Sequence, residues 1–481
     1  MVFGTGLFTE DNQGRRIMDK GNLSRRGFLG RSLAGLTVGA GLPLWYAQEI
    51  VADAQDKDGK KKTPSPNDRI TMAAIGTGTN HTRRGRGQRI HGERGVHIMQ
   101  DAMRQQGVQM VAVCDVDRTS RDFAADIVGR DCRKFNDFRE LLENRSIDAI
   151  TIGTPDHWHA LIAIAAMRAG KDVYCEKPLT LTHEEGVAMV RTSQQTRKIV
   201  QTGSQQRSDA RFRLACELVR NGRIGRVRRI ETIIGDNPAG TFRTAPVPEG
   251  LDWNFWLGRT ARVDYVPQRC HYEFRWWYEY SGGKMTDWGA HHNDIAQWAL
   301  GMDGSGPIAV QGRGDAPSRE PNSYNCHRNF EATYTYGNGP NGGEGTRLVC
   351  RPNRSRDSIP ENNGVMFEGD DNKWIFVSRS SIRASDQRLI DEPLGRDATR
   401  LEVSNNHMGN FISCIRSRRA PICNVGVGHR SVTVCHIGNI AIRLGNNQQL
   451  RWDPAAERFT NSEEANAMLR REWRAPWRLP A

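Results

Sequence analysis

The sequence lacks paired cysteines and long apolar segments, and each absence excludes a class of protein. Its ten cysteines are scattered through 481 residues and form no CxxC pair. A disulfide framework is therefore not implied, and most cysteines are predicted to be small buried apolar residues. No segment has the roughly 20 consecutive apolar residues of a transmembrane helix, because the weakly apolar run at 33–45 is short and rich in glycine. We expect no stable insertion into a membrane.

The sequence also lacks any nucleic-acid-binding motif, although its net charge is strongly positive. The formal charge is +13 at pH 7, from 68 Lys and Arg residues against 55 Asp and Glu residues. A basic excess of this size can indicate a nucleic acid, an anionic surface or an acidic substrate as partner. Here the basic residues are scattered and mixed with acidic ones. We predict that nucleic acid is not a partner.

The N-terminal region carries an export pattern. Arg25 and Arg26 lie in the sequence SRRGFL at 24–29, which resembles a twin-arginine signal. Ala52-Asp53-Ala54 has the small residues of a cleavage site. The pattern predicts a signal peptide at 1–54, a charged linker at 55–68, and a periplasmic or secreted protein. An uncleaved amphipathic anchor is the alternative interpretation.

Short apolar runs alternate with helical patterns from residue 69 to about residue 200. The strand-like runs are 70–75, 110–115 and 149–153, and the helical segments are 138–144 and 159–169. Such alternation predicts a parallel sheet with helices on both faces. We therefore predict a Rossmann-type doubly wound domain at 69–200.

After about residue 201 the candidate strands are separated by Gly/Asn turns instead of helices. They are predicted at 227–234, 308–311, 330–336, 346–351, 365–368 and 373–378. A helix at 211–220 precedes them and a long helix at about 428–444 follows. We predict that 201–481 forms an α+β domain with a large, mostly antiparallel sheet, so the whole chain belongs to the α/β class.

A glycine turn, formed by Gly76 and Gly78 and followed by Thr79, comes directly after the first predicted strand. Such a turn lets backbone N–H groups approach a pyrophosphate. The third glycine of G-x-G-x-x-G is missing, because position 81 is His81, and an Arg/Gly-rich insertion occupies 80–95. An ordinary strand-to-helix turn is the alternative interpretation. The arginines of the insertion are predicted either to contact phosphate or to form a solvated loop.

Asp115 ends the second predicted strand and favours a nucleotide site. A carboxylate there can accept hydrogen bonds from a ribose 2′-OH, and it repels a 2′-phosphate. NAD is therefore the predicted cofactor. Two nearby cations, Arg118 and Arg121, keep NADP open as an alternative.

Two further motifs point to redox chemistry. The first leads from Thr154 and Pro155 through a helical segment to Glu176-Lys177-Pro178, which places one ammonium group at the carboxyl edge of the sheet. The second is D-x-x-x-H, in which Asp287 and His291 share one helix face. A carboxylate beside an imidazole raises the basicity of the imidazole and orients it. Such a base can remove the hydroxyl proton of a secondary alcohol while hydride leaves the same carbon.

With these motifs the chain from residue 69 to about residue 480 resembles the Gfo/Idh/MocA family of oxidoreductases. The resemblance implies an NAD(P)-binding Rossmann domain, a C-terminal domain for substrate binding and oligomerisation, and a homo-dimer or homo-tetramer. It also implies a cis peptide between Lys177 and Pro178. We predict His291 as the acid/base, Lys177 as its electrostatic partner and proton relay, and Asp287 as the group that orients the imidazole.

Other residues are assigned to the cofactor and the substrate by the same resemblance. Thr154, Pro155, His157, Glu176 and Lys177 would contact the nicotinamide nucleotide, together with the glycine turn and Asp115. The predicted substrate contacts are His159, Trp276, Trp277, His292, His407 and Arg430. Aromatic faces stack on sugar rings, although a tryptophan-rich core is the alternative for most of the tryptophans.

No metal site is predicted. His291, His292 and Asp294 form an alternative set of ligands, but adjacent histidines point to different faces of a helix.

The predicted substrate is a sugar, glycoside or polyol. A free nicotinamide pool is not expected outside the cytoplasm, so the cofactor is predicted to be tightly bound and regenerated within the cycle. One scheme reduces a second sugar. In the other, transient oxidation permits an elimination that cleaves a glycosidic bond before the hydride returns, as in NAD-dependent glycosidases of the family. A non-catalytic carbohydrate-binding protein on the same fold is the alternative from another class.

Overall fold

The computed structural model describes residues 8–10, 16–18, 32–58, 69–81, 89–337, 342–353 and 361–480. The chain divides into two units, Met1–Lys62 and Thr63–Ala481. The first contains an antiparallel pair, β1 (Phe8–Glu10) and β2 (Arg16–Met18), a π-helical turn at Gly35–Gly39 and helix α1 (Leu44–Asp58). The twin-arginine motif lies outside the described residues, as do Arg83, Arg84 and Arg86 of the insertion. Within the described residues, every helix is too short or too polar to cross a membrane.

The second unit begins with a six-stranded parallel sheet, in the order β5-β4-β3-β6-β7-β8. Its strands are β3 (Ile70–Ile75), β4 (Val108–Cys114), β5 (Arg133–Phe135), β6 (Ala149–Ile152), β7 (Asp172–Cys175) and β8 (Val200–Thr202). Its helices are α2 (Arg94–Met103), α3 (Arg118–Val128), α4 (Phe138–Leu142), α5 (Asp156–Arg168) and α6 (His183–Thr196). The predicted doubly wound parallel sheet is confirmed.

The central strands of this sheet are buried on both faces, which explains their unbroken apolar sequences. Every residue of β6 is buried, and α5 is buried on almost all sides. One face also packs against α12 (His407–Ser417) from the C-terminal part of the chain, through residues such as Phe411 and Ile412. Trp473 and Trp477 pack against the other core cluster. The C-terminal part therefore completes the core of the parallel-sheet domain.

A nine-stranded sheet follows, in the order β15-β14-β13-β9-β12-β11-β10-β16-β17. Its strands are β9 (Val227–Ile233), β10 (Ala309–Gly314), β11 (Phe330–Tyr336), β12 (Gly342–Arg351), β13 (Gly364–Glu368), β14 (Trp374–Val377), β15 (Ile382–Ala384), β16 (Leu450–Asp453) and β17 (Arg458–Phe459). Only the β9–β12 pairing is parallel. The predicted mostly antiparallel sheet is confirmed.

Helices cover this sheet and connect it to the parallel one. They are α7 (Ala210–Arg220), α8 (Trp253–Leu257), α9 (Lys284–Asp287), α10 (Gly289–Leu300), α11 (Arg388–Asp391), α12, α13 (Val425–Leu444) and α14 (Glu463–Ala467). The long helix α13 packs against β10, β11, α10 and α6. Through α13, the second sheet is held against the parallel-sheet half of the unit.

Candidate active site

The carboxyl edge of the parallel sheet opens into a cavity of about 440 Å³. The turns that follow four strands line it: Gly76 after β3, Asp115 after β4, Thr154 after β6 and Glu176 after β7. Ligands of open α/β sheets bind at this edge. Side chains from α9, α10 and the loop after β14 also line the cavity, so both halves of the second unit contribute to it.

The glycine turn has a backbone that only glycine adopts readily. Gly76 and Gly78 have φ of +74° and +65°, in the left-handed region. A Cβ on Gly76 would also lie 2.5 Å from the backbone nitrogen of Thr154. Both glycines and Thr79 line the cavity. The turn therefore brings the backbone to the cavity wall, as contact with a pyrophosphate requires.

The third glycine of the fingerprint is Gly95, which the insertion has displaced along the sequence. A Cβ on Gly95 would lie 1.9 Å from the carbonyl oxygen of Gly76, so the start of α2 packs directly on the glycine turn. Thr79 and Gly92 form an antiparallel bridge at the base of the insertion. Arg94 and Gly95, at the start of α2, line the cavity. This end of the helix can therefore face the phosphates of a dinucleotide.

Replacing Gly95 by alanine is expected to weaken nucleotide binding at least tenfold and to lower stability by about 2 kcal/mol or more, since the new methyl group overlaps backbone atoms. Gly304→Ala is the control, because a Cβ at Gly304 meets no atom within 4 Å. Nucleotide content per chain and urea unfolding report the two effects. Equal nucleotide content in the two variants would show that Gly95 does not shape the site.

Asp115 lies beside the glycine turn, as its predicted role requires. Oδ2 of its carboxylate accepts hydrogen bonds from the backbone N–H of Thr77 at 2.8 Å and of Gly78 at 3.0 Å. Oδ1 accepts from the backbone N–H of Asp117 at 3.0 Å. Burial and the neighbouring Asp117 raise the pKa of Asp115. The carboxylate thus both fixes the turn and faces the cavity, where a ribose hydroxyl can reach it.

Lys177 is held at the cavity wall by Asp287. Its ammonium group donates to Oδ1 of Asp287 at 2.7 Å and to the backbone oxygen of Asp287 at 3.0 Å. The guanidinium of Arg275 also donates to Oδ1, at 3.4 Å. Although burial opposes ionisation, Lys177 and Arg275 lower the pKa of Asp287. The predicted cis peptide between Lys177 and Pro178 is confirmed.

His291 lines the same cavity, one turn beyond Asp287. Burial lowers the pKa of His291 far below its ordinary value, and the charges of Lys177 and Arg379 lower it further. The predicted rise in its basicity is therefore wrong. The Asp287 carboxylate binds Lys177 and Arg275, so it positions the ammonium group. His291 is consequently neutral at physiological pH, with a lone pair that can accept a proton.

Glu176 lines the cavity and joins three parts of its wall. Its Oε1 accepts from Arg94 at 2.7 Å and from Gln205 at 2.9 Å, and its Oε2 accepts from the backbone N–H of Lys177 at 3.2 Å. Pro155 lines the cavity too. Arg94 belongs to the insertion whose arginines were predicted either to contact phosphate or to form a solvated loop, whereas Gln205 was missed because it belongs to no motif.

Three further cavity residues, Arg275, Trp288 and Arg379, escaped the sequence analysis. The guanidinium of Arg379 lies 4.6 Å from the ring centroid of Trp288, and Trp288 adjoins Asp287 in the sequence and could have been found from that proximity alone. Asp156 belongs to the segment 154–157, which the resemblance predicts to line the nicotinamide pocket, and it does line the cavity. It accepts from Ser281 Oγ at 2.5 Å, and burial raises the pKa of Asp156 to about 6.

The six predicted substrate contacts are not among the residues that line the cavity. The Trp276 and Trp277 indole N–H groups donate to Glu273 and to the backbone oxygen of Gln268 in an aromatic core. His159 bonds the backbone oxygens of Pro178 and Thr154, which ties two turns together behind the cavity.

The other three bond to groups elsewhere in the second unit, and Arg430 is only partly buried. His292 lies beside Gln206 and Asn363, His407 beside Ser208 and Thr202, and Arg430 beside Pro454 and Glu457. His157 was predicted to contact the nucleotide, but its ring bonds the backbone oxygen of Trp256 and packs on Tyr280. His157 is likewise not among the residues that line the cavity.

The alternative metal ligands are bound to other groups as well. Arg207 binds both oxygens of Asp294 at 2.8 to 3.0 Å, and Ser431 donates to Oδ1 at 2.5 Å. With His292 bonded as described, His291 and Asp294 do not form a ligand set.

Comparison with known proteins assigns both halves of the second unit. Residues 72–204 match the model of the oxidoreductase family with an NAD-binding Rossmann fold. Residues 238–479 match the C-terminal alpha/beta domain of the same oxidoreductase family.

The matched relatives include dehydrogenases and a glycosidase. Inositol 2-dehydrogenase from Salmonella typhimurium (strain LT2) is 29% identical over 130 residues, which cover 27% of this chain and 39% of that protein. Glycosyl hydrolase family 109 protein 1 from Shewanella sp. (strain ANA-3) is 36% identical over 115 residues, covering 22% of this chain and 25% of that protein. The matches thus span well under half of these relatives' own length.

Among solved structures, the WlbA dehydrogenase from Bordetella pertussis in complex with NADH and UDP-GlcNAcA has the same fold. Its TM-score is 0.55 at 16% identity, and the alignment covers 80% of this chain and 99% of that one.

Proposed function

Since the chain belongs to the Gfo/Idh/MocA oxidoreductase family, we propose that it oxidises a secondary alcohol of a sugar, glycoside or polyol with NAD. One observation carries the proposal. The glycine turn, the ammonium group of Lys177 and the imidazole of His291 line a single cavity. Nucleotide-binding and proton-transfer groups therefore meet where the substrate carbon would lie.

In the proposed oxidation, one side chain accepts a proton and another stabilises negative charge. NAD, held by the glycine turn, Asp115 and the start of α2, supplies the hydride acceptor. Neutral His291 accepts the proton of the substrate hydroxyl. The ammonium group of Lys177, fixed by Asp287, stabilises negative charge that develops on the substrate oxygen. Because the charge of Lys177 destabilises the protonated form of His291, His291 readily passes the proton on.

The cavity wall suits a ring that carries several hydroxyl groups. Trp256, Tyr272 and Trp288 supply aromatic surface, while Asp156 and Arg379 supply polar groups. Aromatic surface combined with a few charged groups is what a sugar or cyclic polyol requires. The names of the matched relatives, an inositol dehydrogenase and a glycosyl hydrolase, agree with this class of substrate.

We further propose that the protein is exported and keeps its nucleotide. The twin-arginine motif supports export, and an exported dehydrogenase has no free nicotinamide pool to draw on. Hydride taken from one substrate must then return to a second substrate or to the same one.

A redox-neutral cleavage of a glycoside is the second candidate. The glycosyl hydrolase family 109 relative supports it. In this scheme oxidation of a ring hydroxyl makes a neighbouring C–H acidic, a base removes that proton, and the aglycone leaves as its alcohol with a proton. Water then adds to the carbon–carbon double bond that the elimination formed, and the hydride returns to the oxidised ring carbon.

One experiment tests export, cofactor retention and the reaction together. The chain, with its own N-terminus, is produced in a bacterial host and purified from the periplasm. Mass spectrometry of the denatured protein is expected to find about one NAD per chain. The protein is then assayed with sugars, polyols and chromogenic glycosides.

Each outcome selects one proposal. An oxidised product formed together with a reduced acceptor sugar supports net oxidation. Release of aglycone without net redox change supports the cleavage. Sugar binding without turnover supports the non-catalytic carbohydrate-binding alternative. Protein that contains no nucleotide and binds none would overturn the proposed function.

A further inference from the structure

Two histidines and a glutamate form a cluster away from the cavity described above. His183 is the first residue of α6, His429 lies in the first turns of α13, and Glu457 lies in the turn between β16 and β17. His429 Nε2 is 3.2 Å from each carboxylate oxygen of Glu457. His183 Nε2 is 3.5 Å from Oε2 of the same group. Three distant segments thus point three potential ligands at one another.

Among the described residues, a buried nitrogen of this cluster has no hydrogen-bond partner. His183 and His429 are only 4% and 3% exposed. The Nε2 atom of His183 is buried and has no hydrogen-bond partner among the residues that the structure describes. Buried polar atoms in proteins nearly always have a partner. A cation between the two imidazoles and the carboxylate would provide one.

The distances within the cluster fit the coordination sphere of a small divalent ion. A tetrahedral zinc site with ligand bonds of about 2.0–2.2 Å separates its ligand atoms by roughly 3.4 Å. The two nitrogen–oxygen separations are 3.2 Å and 3.5 Å, and all three ligand atoms lie within 4.8 Å of one another. A cation can therefore be accommodated with small movements of the side chains.

Arg430 orients the carboxylate of the cluster. Its Nη1 lies 2.7 Å from Oε1 of Glu457, which leaves Oε2 facing the histidines. An ionised carboxylate and neutral imidazoles are the forms that bind metals.

Gly186 fixes the position of one ligand. A Cβ on this residue would lie 2.2 Å from Nδ1 of His429, so the imidazole rests directly on the backbone of α6. The ring therefore cannot turn away from the cluster in that direction.

We propose that His183, His429 and Glu457 bind one divalent transition-metal ion, for which Zn²⁺ is the probe. Two imidazoles and one carboxylate are a common ligand set for such ions, and a water molecule would complete the sphere. The ion connects α6 of the nucleotide-binding half to α13 and the β16–β17 turn of the C-terminal half. Its role is to brace the two halves, and it is independent of the proposed redox chemistry.

The test uses the full-length protein without a histidine tag. The protein is stripped with a chelator, re-equilibrated with ZnCl₂ and analysed for metal by mass spectrometry. Wild type is expected to hold one zinc per chain. His183→Gln and Glu457→Gln are expected to bind zinc at least tenfold more weakly. Glu463→Gln is the matched control, because Glu463 is an exposed carboxylate beside Arg458 and its loss should leave zinc binding unchanged.

Further measurements on wild type and on the variants can still refute the proposal if a variant folds poorly. Circular dichroism and bound nucleotide verify the fold of each variant. Co²⁺ added to stripped wild type is expected to give the strong visible absorption of a four-coordinate site, and zinc is expected to raise the melting temperature of wild type but not of Glu457→Gln. Wild type that binds no zinc, or variants that bind it as tightly as wild type, would overturn the proposal.

Discussion

Lys177→Ala is expected to reduce turnover about 1,000-fold while leaving the nucleotide content unchanged. Loss of a charge-stabilising donor typically costs 10²–10³ in rate, and loss of a proton-transfer partner a similar factor. A 1,000-fold loss corresponds to about 4 kcal/mol of transition-state stabilisation. The variant should still fold, because Arg275 remains beside the Asp287 carboxylate. Reduction of bound NAD by the best substrate of the wild-type protein, followed by NADH fluorescence, measures the effect.

Lys284→Ala is the matched control. Lys284 is also close enough to lower the pKa of Asp287, but its ammonium group lies 5.3 Å from the ring centroid of Trp276, in the aromatic core. Turnover in this control should stay within about threefold of wild type, as is usual for a charge that touches no reacting group. If Lys177→Ala also stayed within threefold, Lys177 would have no part in the reaction.

The pH profile distinguishes a chemical role of Lys177 from a structural one. The ammonium group lowers the pKa of His291, so its removal should raise that pKa. Activity requires neutral His291 and is lost as pH falls through its pKa. The acid limb of the residual activity of Lys177→Ala should therefore lie at higher pH than that of wild type. A merely loosened site would lower activity equally at every pH.

Features carried by local sequence were predictable. The run at 70–75 coincides with β3, because a strand buried on both faces must be continuously apolar. The glycine turn, Asp115, Lys177 and His291 all follow from motifs, and all line one cavity.

Features that depend on long-range packing were not predictable. Gly95 does the work of the third glycine, but the insertion separates it from the turn, and only the approach of α2 to Gly76 reveals it. Arg275 and Arg379 reach the cavity from loops that carry no motif. Likewise α12 joins the core of the parallel-sheet domain, although more than 200 residues separate it from β8 in the chain.

The positions of the two tryptophans predicted to stack on a sugar also depend on long-range packing. Trp276 and Trp277 adjoin the D-x-x-x-H motif and resemble sugar-stacking residues, yet their N–H groups find partners inside the core. Trp256 and Trp288, which do line the cavity, belong to the same tryptophan-rich segment at 253–298. Whether an indole faces the cavity or the core is decided by the backbone path, which local sequence does not specify.

The predicted rise in the basicity of His291 was wrong because it considered the nearby carboxylate of Asp287 and left out the burial of the imidazole. The D-x-x-x-H spacing places Asp287 one turn away, but that carboxylate is bound to Lys177 and Arg275. Burial then dominates the pKa of His291, as it does for buried bases generally.

Burial of histidines leads to the second large prediction, which is a steep loss of stability in mild acid. Burial lowers the pKa of His157 to about 3 and that of His292 and His407 to about 4. In the unfolded chain each histidine titrates near 6.5. Between these values the unfolded state binds protons that the folded state does not, so stability is present above pH 6.5 and is lost as pH falls.

The three histidines each contribute about 2 kcal/mol of lost stability between pH 8 and pH 5, or about 6 kcal/mol together. Asp156 acts in the opposite direction. Because its pKa is raised to about 6 in the folded state, it takes up a proton there first and restores about 1.4 kcal/mol over the same interval. These four groups together give a loss of about 5 kcal/mol, which is comparable to the whole stability of many domains. The lowered pKa values of His183 and His291 act in the same direction.

Urea unfolding at pH 8 and at pH 5 measures the loss directly, and the slope of unfolding free energy against pH counts the protons taken up. His407→Gln should reduce that slope by about one proton near pH 5, because the amide can still bond Ser208 or the Thr202 carbonyl but does not titrate. A free energy of unfolding that changes by less than 1 kcal/mol over this interval would mean that the three imidazoles are protonated without leaving the core. The buried histidines, few of which touch the cavity, would then set neither the stability of the protein nor its pH range.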